Sequence, residues 1–477
     1  MPTPAELHVQ CQRHPALQRC AEIAQSHQAS LYLVGGAVRD FLLNGQLPSD
    51  LDLAVVDGSA KALAGMVAEA LNGRFVPLDE QCGIYRVVFP ESGLSLDFSD
   101  ALDNDIDRDL ARRDLSINAM GMRLADGRFL DPFHGTGDLE KRRIRMISRQ
   151  NMLDDPLRLL RVFRFAAVIE AQGIDGETLA CVTENREQLL KAAPERIQYE
   201  LLRFFNADRC FPHLNTMGDC GLLEVILPEL TATRTIPPNG HHHLMLFDHT
   251  LELVNQCELL LKDWPEPAQE KIRQPFHGVV SRYGLNKLAC LLHDIGKPAT
   301  QGIKEGTTDR LTFYGHDRVS EEMTEAIAKR LRMGNDVAGF VKKLVRWHLY
   351  PCQFGPTSSR KSVLRFFRRM GDETPDVLLL ALADRHSTLG PEMAGDKLAR
   401  DHENHLWLLG RYFEELATLK QPPLLSGHDV MAILSLRPGP EIKEVLTATQ
   451  EAQQLGEITS PDEARAWVKA NFSRPRT

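Results

Sequence analysis

VGGAVRDFLLNGQLPSDLDLAVV (residues 34–56) decides the fold. Its second half alternates, with Leu51, Leu53 and Val55 on one side and Asp50, Asp52 and Ala54 on the other, the period-two pattern of a strand. Two carboxylates therefore leave the same strand face, a pair of hard oxygen ligands suited to Mg²⁺ beside phosphate oxygens. Upstream, the apolar run Leu31-Tyr32-Leu33-Val34 ends in Gly35-Gly36, where a backbone turn can approach a ligand without Cβ interference. Residues 37–43 then read as a helix whose free N–H groups face an anion. Glycine pair, helix N-terminus and DxD strand within 18 residues form a compact metal and nucleoside-triphosphate site.

Working outward, a helix is expected over residues 60–71 and strands over 85–89 and 94–98. In the last of these Leu94, Leu96 and Phe98 take one face and Ser95, Asp97 and Ser99 the other, which adds Asp97 as a third carboxylate. After Lys141 the texture turns helical, over 156–168 and 196–205 among others. A break falls at TATRTIPPNG (231–240), and eight histidines lie between His241 and His348. From about Pro391 the chain reads as polar helix.

With 477 residues, 43% hydrophobic and 25% charged, the chain has room for two to four globular domains. No run is apolar and long enough to span a membrane, and Met1–Glu6 lacks the layout of a secretory signal. Nine cysteines without a CxxC pair fit reduced thiols, so a cytoplasmic location is expected. The net charge of −9 argues against an indiscriminate nucleic-acid coat. Residues 141–165 nonetheless carry eight Lys or Arg against two Asp, a plausible path for an RNA backbone. Arg360, Lys361, Arg365, Arg368 and Arg369 form a second basic segment with no acid between them.

Arg112-Arg113 followed by Asn118 can clamp phosphate and hydrogen-bond a ribose hydroxyl. Asp155 and Arg158, three apart at the start of a helix, offer one acceptor and one donor to a base edge. Such a pair suits cytosine or adenine and rejects guanine and uracil. In the second half, the adjacent His293-Asp294 pair, followed by Gly296-Lys297, joins imidazole, carboxylate and a nearby cation, a common setting for a divalent metal and phosphate. His249, His316, His348 and Asp384 sit in similar apolar helical contexts, whereas the His241-His242-His243 run carries no catalytic weight.

Together VGGAVRD (34–40), SDLDLAV (49–55), RRDLSINAM (112–120), DPFHGTGDL (131–139) and DDPLRLLRVFRFA (154–166) resemble class II tRNA nucleotidyltransferases and bacterial poly(A) polymerases. The resemblance implies an α+β architecture: a polymerase β-like nucleotidyltransferase head (1–140), an all-helical neck with base template (141–235), an HD domain (236–400) and a helical tail (401–477). It implies Mg²⁺ on Asp50 and Asp52, with Asp97 as a further catalytic carboxylate. Gly35, Gly36, Arg39, Arg112, Arg113, Asp114, Asn118, Asp155, Arg158 and Arg161 become the nucleotide-binding set. His249, His293, Asp294 and Asp384 resemble the metal ligands of HD phosphohydrolases. His316 and His348 resemble the histidines such domains use for a second metal or phosphate. A divalent transition metal or Mg²⁺ would fill that site and promote phosphate-ester hydrolysis.

The expected substrates are tRNA, CTP and ATP. Only 14 residues separate Asp97 from Arg112, where CCA-adding and poly(A)-adding members carry a longer loop. That gap resembles the CC-adding members, which work beside a separate A-adding enzyme, although another segment could supply the loop's function. A poly(A) polymerase, an HD phosphohydrolase with an inactive nucleotide-binding head, and a non-catalytic RNA-binding protein are the alternatives.

Overall fold

Helix α1 (Pro4–Arg13) starts from a capping box between Thr3 and Glu6, and α2 (Pro15–Ser26) follows. The chain then enters β1 (Ser30–Val34), turns through Gly35 into α3 (Gly36–Asn44), and returns as β2 (Asp50–Val56). Next come α4 (Ala60–Ala70), β3 (Arg74–Asp79), β4 (Ile84–Phe89), β5 (Leu94–Asp100), α5 (Ile106–Ala111), β6 (Gly121–Arg123) and β7 (Phe129–Leu130). The strands make one mixed sheet in the order β3-β4-β5-β2-β1-β6-β7. Helix α4 lays Leu63, Ala64 and Val67 on β4 and β5, burying Val87, Leu96 and Phe98. Leu51 and Leu53 are buried on β2 while Asp50 and Asp52 remain open, as the alternation required. The only parallel pairing in this sheet, β2 with β5, sets Asp52 opposite Asp97 and Asp50 opposite Ser95.

This computed structural model describes residues 1–239, 243–278, 280–307, 310–390 and 396–472. It divides into two compact units, Met1–Pro228 and Glu229–Thr477. The first continues beyond the sheet through α6 (Gly135–Glu140), β8 (Arg143–Ile144), α7 (Arg149–Asp154), α8 (Leu157–Val168), β9 (Gly173–Ile174), α9 (Gly176–Asn185), α10 (Pro194–Phe205), α11 (Phe211–Asp219) and α12 (Leu222–Ile226). Helix α8 packs against α10, and the short parallel pair β8 and β9 is the one interruption of an otherwise helical segment.

The second unit comprises α13 (Leu246–Leu260), α14 (Glu266–Arg273), β10 (Pro275–His277), β11 (Val280–Ser281), α15 (Arg282–Leu292), β12 (Gly302–Ile303), β13 (Leu311–Thr312), α16 (His316–Arg330), α17 (Asn335–Trp347), α18 (Arg360–Met370) and α19 (Thr374–Ser387). It ends with α20 (Asp396–Leu419), α21 (Gly427–Leu434), α22 (Pro440–Leu455) and α23 (Pro461–Phe472). Helix α19, buried nearly all round, packs on α13, α15 and α20. Helix α20 runs across residue 400. A separate small core of Leu425, Val430, Val445, Ala452 and Val468 joins the last three helices. No helix among the described residues is long and apolar enough to cross a membrane, and none of the nine cysteines is in a disulfide.

Candidate functional site

A cavity of about 490 Å³ opens in the first unit where β2, α3, α8 and the segment 113–118 meet. Asp50 and Asp52 reach it from β2, Gly36 and Arg39 from α3, and Arg113, Asp114 and Asn118 from the segment after α5. Asp155, Arg158 and Arg161 complete the opposite wall. Gly35 has φ +69°, and a Cβ there would collide with Arg113 Nη1, so this turn requires glycine. The crowded walls push the Asp52 carboxyl above its ordinary pKa. The Asp97 and Asp50 charges add to this against the nearby Arg113 and Arg39. A surplus of negative charge on one strand face is what a hard divalent cation relieves, so the donor set fits Mg²⁺.

One chain of hydrogen bonds stiffens one wall of the cavity. Arg39 Nη1 donates to Asn118 Oδ1 (2.6 Å), Asn118 Nδ2 to Asp114 Oδ1 (2.9 Å) and Arg161 Nε to Asp114 Oδ2 (2.8 Å). Burial opposes ionisation of Asp114, but Arg161, Asn118 and the Leu115 N–H outweigh it and hold the pKa below its usual value. Arg113 donates to the Asn118 carbonyl and to Asp109, both at 3.3 Å. Arg158 Nη1 donates to the carbonyls of Arg112 (2.8 Å) and Asn151 (2.9 Å), which fixes its guanidinium at the cavity edge. Asp155 is extended (φ −135°, ψ 96°) at the kink between α7 and α8, not on a helical face as expected, yet both it and Arg158 line the cavity.

Three of the expected residues lie off the cavity lining. Gly35 forms the turn behind it. Arg112 turns its side chain to Asp109 (2.6 Å). Asp97, beside Asp52 in the sheet, is held by Arg86 in a two-pronged pair at 2.7 Å. Conversely, Asp40, Pro48, Arg164, Phe165 and Arg203 line the cavity without having been expected. Phe165 lies under three guanidinium groups, Arg164 at 3.9 Å, Arg39 at 4.7 Å and Arg161 at 5.3 Å from the ring centre. Helix α10 supports this wall through Glu200 on Arg164 (2.5 Å) and Arg196 on Asp155 (2.7 Å). The spacing of these charges along α10 looks like a solvated helix face, so no local signal marks them. The short connection from β5 is a 3₁₀ turn (Leu102–Asn104) followed by α5. It is tied down by Ala101 N–H to the Val55 carbonyl (2.9 Å) and Asn104 to Asp57 (2.9 Å).

In the second unit α13, α15, α16, α17 and α19 bring six expected residues together. His249 Nε2 lies 3.3 Å from Asp384 and 3.8 Å from Asp294, and His293 Nε2 lies 3.0 Å from Asp294. His316 and His348 approach the other Asp294 oxygen at 3.1 and 3.9 Å. Nδ1 of His293, His316 and His348 each faces a backbone carbonyl, of Cys290 (2.8 Å), Phe313 (2.7 Å) and Val345 (2.7 Å). A carbonyl only accepts, so Nδ1 of each ring carries a proton and Nε2 is the nitrogen turned inward, toward Asp294. His293 Nε2, His316 Nε2 and Asp294 Oδ1 are buried with no hydrogen-bond partner. Imidazole nitrogens and a carboxylate converging in a buried space fit a divalent cation. Two overlapping donor triads share Asp294: with His249 and His293, and with His316 and His348. Burial and the neighbouring His293 push His348 down to about 4, which keeps it neutral and ligand-competent. Lys297 pairs with Asp294 from the following turn. His243 accepts a bond from the Leu389 N–H, whereas His241 and His242 lie outside the described residues.

Residues 31–98 and 82–145 match the poly A polymerase head domain, 173–233 the probable RNA and SrmB-binding site of polymerase A, and 246–389 the HD domain. Over 447 residues the chain is 36% identical to the A-adding tRNA nucleotidyltransferase of Deinococcus radiodurans, covering 92% of this chain and 94% of the relative. It is also 36% identical over 444 residues to the CC-adding tRNA nucleotidyltransferase of Thermus thermophilus, with 91% and 92% covered. The fold resembles that of the Thermotoga maritima CCA-adding enzyme complexed with tRNA, at TM-score 0.62, 19% identity and 99% coverage of both chains.

Proposed function

From the premise that this chain belongs to the CCA-type tRNA nucleotidyltransferase family, we propose that it adds two cytidines to the 3′ end of tRNA and stops. The observation that carries this reading is the segment between Asp97 and Arg112. It is 14 residues long and taken up by a 3₁₀ turn and α5, which leaves no free loop to reshape the cavity from C to A.

In this reading Asp50 and Asp52 hold Mg²⁺, which when bound supplies charge neutralisation to the triphosphate and the attacking 3′-oxygen. Arg113 grips phosphate beside the Gly35-Gly36 turn, and Asn118, fixed by Arg39 and Asp114, meets the ribose. Asp155 accepts the cytosine amino proton while Arg158 donates to the ring acceptors. Arg112, turned to Asp109, contributes through its carbonyl, which positions Arg158. Asp97 balances Arg86 and adds negative charge beside Asp52. A separate enzyme then adds the adenosine.

An A-adding activity is the second reading, favoured by the Deinococcus relative at the same 36% identity. Labelled CTP and labelled ATP, offered separately to tRNA lacking its CCA end and to tRNA ending in CC, distinguish the two. Cytidine incorporated only into the former supports CC addition, and adenosine incorporated only into the latter replaces it.

For the second unit we propose hydrolysis of a phosphate ester, such as a 2′,3′-cyclic phosphate or a 2′-nucleotide. His249, His293, Asp294 and Asp384 would hold one divalent ion, and His316 and His348 would serve a second ion or the phosphate. A bound ion supplies Lewis acidity to the ester. Lys297 adds positive charge where the phosphate would sit.

A further inference from the structure

A cavity of about 970 Å³ lies among α18, α20 and α22, and none of the site residues described above lines it. This is at the upper end of the volumes that take small-molecule ligands. Its wall is rich in cations: Arg365, Arg368, Arg369, Lys420 and Lys443, against Asp372 and Glu451. Glu451 neutralises Arg365 (2.9 Å) and Arg368 (3.3 Å), and Lys271 neutralises Asp372 (2.7 Å). Arg369, Lys420 and Lys443 have no ion-pair partner among the described residues. The Arg369 guanidinium is held against aromatic surface, 4.7 Å from the Trp347 ring centre and 5.8 Å from that of Tyr350.

The decisive group is Gln454. It lines this cavity, is only 3% exposed, and neither its Oε1 nor its Nε2 has a hydrogen-bond partner. Arg368 Nη1, on the facing helix, is buried and equally unpartnered. A buried primary amide with both ends unused is costly, and leucine at the same position would avoid that cost. An amide presents one donor and one acceptor in a plane, the pattern that pairs with N6 and N7 of adenine. Tyr350, half-buried at the wall, offers aromatic surface to a base, and the unpaired lysines offer charge to a phosphate.

We propose that this cavity binds an adenine nucleotide, at a site separate from the cavity of the first unit. The amide of Gln454 reads the base, and Lys420, Lys443 and Arg369 hold the phosphate. The nucleotide is either free or an adenosine residue of an RNA strand.

Photolabelling of the full chain with 8-azidoadenosine monophosphate, in chelator and followed by peptide mass spectrometry, tests this. Label is expected on peptides from residues 360–370, 412–420 or 443–454, with AMP protecting at tenfold lower concentration than CMP, GMP or inorganic phosphate. Protection by AMP assigns a free nucleotide. Protection by an oligonucleotide ending in adenosine, but not by AMP, assigns the same subsite to RNA. Gln454→Leu is expected to cut this labelling at least tenfold, to leave nucleotide addition unchanged, and to raise the melting temperature of the ligand-free chain. Lys443→Ala, at the exposed rim, is expected to weaken labelling without altering the buried wall. Label absent from these peptides, equal protection by phosphate, or unchanged labelling in both variants would overturn the proposal.

Discussion

Replacing Gly35 by alanine strains the backbone and displaces Arg113, which lines the first unit's cavity, at once. Gly35 combines φ +69° with ψ −127°, a region that L-residues enter at a cost of about 1–3 kcal/mol. For a unit of this size that loss lowers its melting temperature by roughly 3 to 10 °C. The added Cβ also strikes Arg113 Nη1; the guanidinium's bonds, Nη1 to the Asn118 carbonyl and Nη2 to Asp109, are already long at 3.3 Å, so it moves rather than the sheet. If Arg113 holds substrate phosphate, losing one charged hydrogen bond costs about 1.5–3 kcal/mol. This is a fall of roughly ten- to a hundredfold in kcat/KM for CTP. Gly65→Ala is the control: no atom lies within 4 Å of its Cβ, and its φ is not in the left-handed region. Steady-state cytidine addition to tRNA lacking its CCA end, with thermal unfolding of each variant, measures both effects. In an Arg113→Ala background, Gly35→Ala should keep its thermal penalty and lose most of its kinetic one. Wild-type kcat/KM in Gly35→Ala, or equal damage from Gly65→Ala, would show that Arg113 is not displaced in this way.

Asp155→Ala and Arg158→Ala should relax the choice among CTP, ATP, UTP and GTP more than they weaken triphosphate binding; incorporation assays with each labelled triphosphate report this, and full selectivity in both would move recognition elsewhere. His293→Ala or Asp294→Ala should abolish divalent-metal content in the second unit and hydrolysis of 2′,3′-cyclic phosphates, while cytidine addition stays within about twofold of wild type because the two sites use separate ions; elemental analysis and paired assays check it. Burial lowers His405 from 6.5 to about 4, so the unfolded chain takes up its proton first on acidification. Its contribution to stability is complete above pH 6.5 and is lost as pH falls toward 4, about 3 kcal/mol in all; His405→Phe should flatten denaturant-unfolding stability over that window.

What could be read from the chain follows the range of the interactions. The DxD strand was legible because alternation is local, and Asp50 and Asp52 open into the cavity while Leu51 and Leu53 are buried. The glycine turn was legible for the same reason. The Arg86 pair of Asp97 was not, because it depends on the register of β4 against β5. Nor were Arg196 and Glu200, which reach the cavity wall through the packing of α10 on α8. The basic segment at 360–369 has no acid within it, so its charges look uncompensated in the sequence. In the fold, Arg360 pairs with Glu415, and Lys361, Arg365 and Arg368 converge on Glu451. Those acids lie 55 or more residues away in sequence, beyond the reach of any local pattern. The six residues of the HD cluster were legible as residue types in apolar helices. Their tautomers were not, because they depend on backbone carbonyls one helical turn back.

Addition of two cytidines and no adenosine is tested by the length of the product. The enzyme is given tRNA ending before its CCA triplet, together with both CTP and ATP, and the 3′-terminal fragment is weighed by mass spectrometry as the reaction goes to completion. A tied-down segment between Asp97 and Arg112 predicts a product two cytidines longer that accumulates and does not gain adenosine. Efficient conversion to the full CCA end would contradict the claim, as would adenosine added only to tRNA that already ends in CC.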